Sequence, residues 1–420
     1  MTRISSYDEA EAYLLGTIDE VTSPRTSYKL DRMRALLRYL DDPHRSYPTI
    51  HVGGTSGKGS TSTMIAGALQ ASGKRTGLHT KPHLRSMTER ACIDGAAISR
   101  ERFVDVLERA MPAIERTTSA YGRPTYYETL LALTFAYFAQ EKVDVAVVEV
   151  GLGGRLDGTN VLYPLVAAIT SVGYDHTEIL GTAIEAIALE KAGIAKPGIP
   201  LVLGPVSGAA AAVIEAYAAR TGAPVVYAHD VVEIDEVPPL PVLGTFQHTN
   251  AVTAIAVLKQ LDEALRPSRD AILRSFSKLS IPGRMELVPA KPPVVFDMAH
   301  NAEKAESLVA SLRESFAGRR VHYVVAIGEP KDARRILEIL ATLPSTFTFT
   351  SYAAAGRRAI APSRLSTIAE SIGRWGRAIV DPVEALTVAR RLATMDDVVV
   401  VTGSTFVVGE LREWYIPASV

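Results

Sequence analysis

From about residue 48 onward, short apolar runs alternate with longer segments in which apolar residues recur every three or four positions. The short runs YPTIHV, RTGLH, VDVAVVEV, LVAAITS, IPLVLG and APVVYA are nearly continuous in hydrophobicity, as strands buried on both faces are. The longer segments lie around Ser60 to Ser72, in ERFVDVLERAMPAIER, in YETLLALTFAYFAQ and in IEAIALEKAG, with two more at Thr249 to Leu261 and Asp270 to Leu279. Their 3.6-residue periodicity predicts amphipathic helices. Two further amphipathic helices are expected before the first strand, at Tyr7 to Ile18 and Lys29 to Leu40. Strands alternating with helices predict a mostly parallel sheet covered on both faces.

The segment IPGRMELVPAKPP interrupts this order with glycine and several prolines. The alternation then restarts with PVVFDMAH, a helix at Ala302 to Phe316, VHYVVAIG, a helix at Asp332 to Leu340 and FTFTS. A helix at Ser363 to Ile372, RAIV, a helix at Val383 to Ala393 and DVVVVTG complete it. The expected organisation is therefore an α/β domain over 1–288 and a smaller Rossmann-like α/β domain over 289–420. The last apolar run, VVVVTGSTFVVG, is broken by Gly, Ser and Thr and reads as a buried strand followed by a turn, not a membrane span.

Composition adds exclusions. The chain has 420 residues, 47% hydrophobic and 22% charged, enough to bury a large core. With 45 Lys plus Arg against 46 Asp plus Glu, charge gives no reason to expect nucleic acid or an anionic membrane as partner. Its single cysteine, Cys92, cannot form an internal disulfide, which suits a reducing cytoplasm. The opening MTRISSYDEAEAYLLG has acids among its apolar positions and does not read as a secretory signal.

Candidate chemistry begins at Gly54-Thr55-Ser56-Gly57-Lys58-Gly59-Ser60, between a predicted strand and a predicted helix. Glycines let backbone N–H groups approach phosphate oxygens, and the following helix offers its N-terminal donors. Lys58 supplies charge for the outer phosphates, and the hydroxyl of Ser60 can ligate Mg²⁺. The general pattern G-x-x-x-x-G-K-[ST] is not met, because Val52 stands where its first glycine belongs and Gly59 follows the lysine. A kinase-type or GTPase-type loop is disfavoured on that ground. The bland alternative is a glycine-rich turn that binds nothing. Taken alone, Glu149 reads as a strand-end acid, His176 as a structural histidine and Lys191 as a solvated helix lysine.

GTSGKGS resembles the GTNGKGS loop of the folylpolyglutamate and dihydrofolate synthases, a branch of the Mur ligase superfamily. EVGLGGRLDGTN, DHTEILG, EKAGIAKPG, FQHTNA, PGR, DMAHN and Gly403-Ser404 resemble that family's segments in the same order, across almost the whole chain. The resemblance implies a P-loop Mur-ligase-like ATPase domain followed by a glutamate ligase domain. It implies ATP and Mg²⁺ bound by Gly54 to Ser60, with Ser60, Glu149 and His176 at the metal. It gives Lys58, Glu149, His176 and Lys191 catalytic roles, the lysine at 191 being carbamylated by CO₂. Asn250 is placed at the adenine, Arg284 at the phosphates, where it could sense domain closure, and Asp297 at the ribose or interdomain region. Pro82, His83 and Asp157 are placed toward the folate, His300 and Ser404 toward glutamate. Two departures stand out: Lys81 replaces the serine of the family's T-S-P-H-L loop, and Ser56 replaces an asparagine.

The implied reaction is ATP-dependent ligation of L-glutamate to tetrahydrofolate, with dihydropteroate as a further acceptor, through an acyl phosphate formed in a pocket between the two lobes. A cytoplasmic monomer with small-molecule substrates, and no nucleic-acid or membrane partner, is expected. The rivals are another Mur-type ligase, whose loop usually reads GTNGKT, a P-loop kinase and a non-catalytic ATP-binding switch. Gly59 argues against the first. The second α/β domain with the Glu149, His176 and Lys191 set argues against the switch.

Overall fold

In the computed structural model, which describes residues 4–18, 30–329, 331–354 and 357–416, contacts divide the chain into two units. The first comprises Met1–His83, Met87–Leu240 and Phe246–Leu279; the second comprises Leu84–Ser86, Pro241–Thr245 and Ser280–Val420. No helix among the described residues is long and apolar enough to cross a membrane.

The strands of the first unit are β1 (Thr49–Gly53), β2 (Thr76–His79), β3 (Cys92–Ile93), β4 (Ala96–Ala97), β5 (Val145–Glu149), β6 (Val166–Ile169), β7 (Leu201–Leu203) and β8 (Val225–Tyr227). They form one sheet in the order β4-β3-β2-β5-β1-β6-β7-β8. Every pairing along β2-β5-β1-β6-β7-β8 is parallel, and only β3 runs against its neighbours, β2 and β4. The central strands β1 and β5 are buried at every position, β5 through its valines and β1 with Thr49 and His51 buried beside Ile50 and Val52. One core holds Phe103, Leu130, Phe135 and Phe138 against Ala146 and Val148 of β5. A second holds Ile169, Ile194, Leu201 and Ile214. The helix Tyr126–Gln140 is fixed at its start by a capping box of Thr125 and Glu128, and Glu128 also pairs with Arg32 at 2.7 Å.

The second unit contains β9 (Glu286–Val288), β10 (Val294–Phe296), β11 (Val321–Val325), β12 (Ser345–Phe349), β13 (Gly376–Ala378) and β14 (Val398–Thr402), in the order β13-β12-β11-β14-β10-β9. Only β9 is antiparallel to its neighbour. The two faces bury Tyr323, Phe347 and Phe349 on one side and Phe296, Leu386 and Val407 on the other.

Several expectations need correction. VVVVTGSTFVVG is a strand followed by a helix, Thr405–Tyr415, because Ser404 caps its start by accepting the Phe406 N–H at 3.2 Å. The irregular IPGRMELVPAKPP contains β9, an edge strand paired with β10, which its short length and flanking prolines conceal. The helix expected to end near Arg116 continues through Pro112 to Tyr121. The helix Gly208–Thr221 carries mostly alanines and gave no clear apolar stripe in the sequence. The helix expected from Lys29 starts outside the described residues and is seen as Leu30–Tyr39.

Candidate active site

The loop after β1 is bound to the segment that leaves β6, its sheet neighbour. Thr55 N–H donates to Ser171 O and Ser56 N–H to Ser171 Oγ, both at 2.9 Å, while Thr170 Oγ1 donates to Ser56 O at 2.6 Å. Thr55 Oγ1 in turn exchanges hydrogen bonds with the Gly173 backbone. Gly54 and Gly57 adopt positive φ, +138° and +84°, and Gly57 is the N-cap of the helix Lys58–Ala71. A Cβ on Gly54 would meet Thr170 Oγ1 at 2.1 Å, and one on Gly57 would meet Asn250 Oδ1 at 2.2 Å. The loop is thus packed so closely that neither Gly54 nor Gly57 leaves room for a side chain. Lys58 Nζ folds back to donate to Gly54 O at 2.8 Å and Thr55 O at 2.9 Å. Ser60 is buried in the first turn of the helix. Asn250, on the helix Phe246–Lys259, donates to Gln247 Oε1 at 3.0 Å.

Glu149 ends β5 directly beside Val52 of β1, so it emerges at the same end of the sheet as the loop. It is 2% exposed, and its Oε2 accepts the Lys81 N–H at 3.1 Å. Burial pulls the Lys81 ammonium below the ordinary lysine pKa, while Glu149, Asp157 and Asp175 push it back up. Asp157 is buried and saturated by the chain's own donors: Leu152 N–H, Thr159 N–H, Thr159 Oγ1–H and the Tyr127 hydroxyl, at 2.6–3.2 Å. These bonds make it the organiser of its own loop. His176 has a left-handed backbone, φ +50°, and caps the short helix Thr177–Leu180. Its Nδ1 lies 3.4 Å from Glu178 and its Nε2 3.8 Å from Asp175; burial lowers its pKa. Lys191 is 3% exposed on the helix Ile184–Ala192, so it is not the solvated lysine its sequence context alone suggests. Pro82 follows a cis peptide bond, and His83 Nδ1 accepts from Arg90 Nε at 2.9 Å.

Among the described residues no three His, Cys, Asp or Glu side chains gather into a metal cage. Mg²⁺ does not require one, since it keeps waters and takes one or two protein oxygens beside phosphate oxygens. The Ser60 hydroxyl, in the first turn of the helix that follows β1, and the buried Glu149 carboxylate, at the end of neighbouring β5, fit that donor set.

Two histidines brace this end of the sheet from within. Thr159 Oγ1 gives its only hydrogen to Asp157, so the 2.8 Å contact with His51 makes His51 Nε2 the donor. His79 likewise faces the Arg90 carbonyl through Nδ1 at 2.8 Å. Burial, aided by nearby cations, holds both near pKa 3. A folded-state pKa below the unfolded one, near 6.5, means that full stability is present above pH 6.5 and is lost as pH falls toward 3. Each histidine is expected to cost roughly 2 kcal/mol at pH 5 relative to pH 7.5. Denaturant titrations at the two pH values check this: His51→Gln should show a shallower loss than the wild type, and equal slopes would refute it.

In the second unit, Gly283 to Met285 and Asp297 to Ala299 are tied together. Met298 N–H donates to Gly283 O, and Asp297 accepts from Met285 N–H and Ala299 N–H, all at 2.9 Å. Desolvation raises Asp297 to about pKa 6. Arg284 is half-buried beside this carboxylate. Glu286 accepts from Gly283 N–H at 2.8 Å and pairs in bidentate fashion with Arg412 at 2.7–3.0 Å. No sequence reading found that pair, since 126 residues separate its members. His300 Nδ1 donates to Met298 O at 2.8 Å, and Ser404 is buried as a helix cap.

A cavity of about 680 Å³, lined by Arg34, His44, Arg45, Tyr47, Asn160 and Lys196 among others, opens where β1 begins, at the opposite end of the strand from the loop.

Residues 52–198 match the Mur ligase middle domain and residues 283–405 the Mur ligase glutamate ligase domain. The chain is 33% identical over 433 residues to the dihydrofolate synthase/folylpolyglutamate synthase of Bacillus subtilis, covering 97% of this chain and 99% of that protein. E. coli FolC, solved in complex with DHPP and ADP, superposes with a TM-score of 0.85 at 27% identity, with 99% of each chain covered. The bifunctional folylpolyglutamate synthase/dihydrofolate synthase of Yersinia pestis, solved with AMPPNP and Mn ion, gives 0.84 at 29% identity and the same coverage. With the loop, the strand-end carboxylate and both domain matches in place, the chain belongs to the folylpolyglutamate/dihydrofolate synthase family of Mur ligases.

Proposed function

We propose that this chain uses ATP to join L-glutamate to tetrahydrofolates, and also to dihydropteroate, releasing ADP and phosphate. The observation that carries this reading is the main-chain cradle of Gly54 to Ser60, bound to the Thr170–Gly173 segment with Glu149 at the adjoining strand end.

The N–H groups of the loop and of the first helical turn bind the triphosphate, and Asn250 lies against Gly57 to meet the base. Lys58 moves from its carbonyls to the outer phosphate. The acceptor carboxylate then attacks the γ-phosphorus, the bond to the β-phosphate oxygen breaks, and ADP leaves. Ser60 and Glu149, with His176, would hold a divalent cation, which supplies charge neutralisation to the transferring phosphoryl group. Lys191, out of water, loses a proton and adds CO₂ as a carbamate, replacing a buried cation with an anionic oxygen donor. The amine of glutamate, which we assign to His300 and Ser404, attacks the acyl carbon, and phosphate leaves with the P–O bond intact. Arg284 and Asp297 are assigned to the nucleotide, and Pro82 and His83 to the folate. Asp157, whose hydrogen bonds position the 152–159 loop, is assigned to the folate side as well. We further assign the reaction to the cytoplasm and to a single copy of the chain.

Incorporation of labelled glutamate, with ADP release followed in parallel, tests this directly. Equal amounts of ADP and glutamyl product are expected with tetrahydrofolate and with dihydropteroate. ATP turnover that ignores both acceptors would count against the ligase reading, and a stable phosphorylated product would point to a kinase.

A further inference from the structure

The cavity where β1 begins is not part of the site at Lys58 and Glu149. The five residues of β1 separate it from the loop, roughly 16 Å along a parallel strand. Its volume, about 680 Å³, is that of a pocket for a small organic molecule rather than for one ion. Three cations stand on its wall, each from a different segment. Arg34 comes from the helix Leu30–Tyr39, Arg45 from the turn that leads into β1, and Lys196 from the loop before β7. No Asp or Glu lines it, and Tyr47 and Leu162 give it an apolar side.

Lys196 is held in place. Its Nζ donates to Asn160 Oδ1 at 2.7 Å and to Asn160 O at 3.2 Å, and Asn160 donates in turn to Arg155 O and Gly193 O, both at 2.9 Å. Those bonds use two of the three ammonium donors and neutralise none of the charge. Among the described residues no carboxylate lies within ion-pair distance of Lys196 or Arg45, and Arg34 meets only the exposed Asp31, at 3.5 Å. Burial and the Arg34 charge pull Lys196 down to about pKa 8, a penalty that an anion between them would relieve. His44 is an independent sign of a ligand. It lines the cavity at 6% exposure, and its Nδ1 is buried with no hydrogen-bond partner. Burial keeps the ring neutral, and a neutral imidazole has one N–H to give to an anion.

We propose that this cavity is an anion-binding site separate from the loop at Lys58, and that it takes a small molecule carrying two or more anionic groups on a partly apolar body. Cations on three segments around this volume suit such a ligand better than a single tetrahedral ion, which is too small to meet them all. Phosphate groups and carboxylates share this chemistry.

Calorimetric titration at low ionic strength tests the proposal, with AMPPNP saturating so that the loop at Lys58 is filled. The probes are pyrophosphate, a pair of phosphates, and tri-γ-glutamate, a chain of carboxylates. The wild type is expected to bind one equivalent of at least one probe, more weakly as salt is added, and the probe that binds tells phosphate from carboxylate. The double variant Arg34→Glu with Arg45→Glu is expected to weaken that binding by at least on the order of tenfold. It should melt as the wild type does and keep its affinity for AMPPNP, because both side chains are exposed at the other end of β1 from the loop. Lys196→Met should lose the probe as well, but it also breaks the Asn160 bonds, so the double variant decides. Binding of neither probe to the wild type, or equal affinity in the double variant, would overturn the proposal. The ligase reading stands apart from it: failure of AMPPNP to bind strikes at that reading and leaves the cavity to the two probes.

Discussion

Lys58→Ala is expected to lower kcat for glutamate ligation by about 10³-fold. Its Nζ is held by Gly54 O and Thr55 O, two carbonyls of the loop proposed to bind the phosphates, so its charge is held at that loop in advance. Such preorganised charge acts most strongly where negative charge is moving, on the phosphoryl group in transit, so kcat should fall further than KM rises. Lys58→Arg should not restore the rate, because a longer, planar guanidinium spreads its charge instead of placing a compact point charge where the ammonium sits. The carbonyls are only partly buried, so the fold should keep its stability to within about 1 kcal/mol. Steady-state ADP release with saturating acceptor measures the effect. A kcat within tenfold of the wild type would mean that the loop lysine does not face the reacting phosphate.

The second large effect is steric. Gly57→Ala is expected to weaken ADP binding by at least on the order of 10²-fold. Left-handed backbone costs a non-glycine residue about 1–2 kcal/mol, and here the new methyl would also sit 2.2 Å from Asn250 Oδ1. Asn250 is anchored within its helix and to Gln247, so the loop itself must shift and its N–H groups lose their aim. Gly73→Ala provides the control. Its φ, +88°, is as strained, but nothing lies within 4 Å of the added carbon, so it should lose stability without losing nucleotide affinity. Calorimetric titration of both variants with ADP separates the two causes. Equal affinities would remove the close-approach argument.

What the sequence revealed and what it concealed follow from how local each interaction is. Strands such as Val145–Glu149 announce themselves because burial on both faces leaves no polar position to obscure them. The loop around Lys58 was visible because its closely spaced glycines stand between a strand and a helix. Glu149 could be placed beside it, since a strand-end residue has a fixed position once the strand is known. The Glu286–Arg412 pair, the Thr170 and Ser171 contacts to the loop, and the four donors on Asp157 were not legible. Each joins segments whose proximity depends on the register of neighbouring strands or on the path of a loop, and no periodicity encodes either. Asp157 shows the consequence: the hydrogen bonds that fix its carboxylate come from residues whose proximity only the folded loop reveals.

The central claim is that the acceptor's carboxylate is phosphorylated before glutamate captures it. Transfer of ¹⁸O decides this. With both carboxylate oxygens of the acceptor labelled, the inorganic phosphate released on ligation should carry one ¹⁸O for each amide formed. Unlabelled phosphate accompanying a normal yield of glutamyl product would contradict the account.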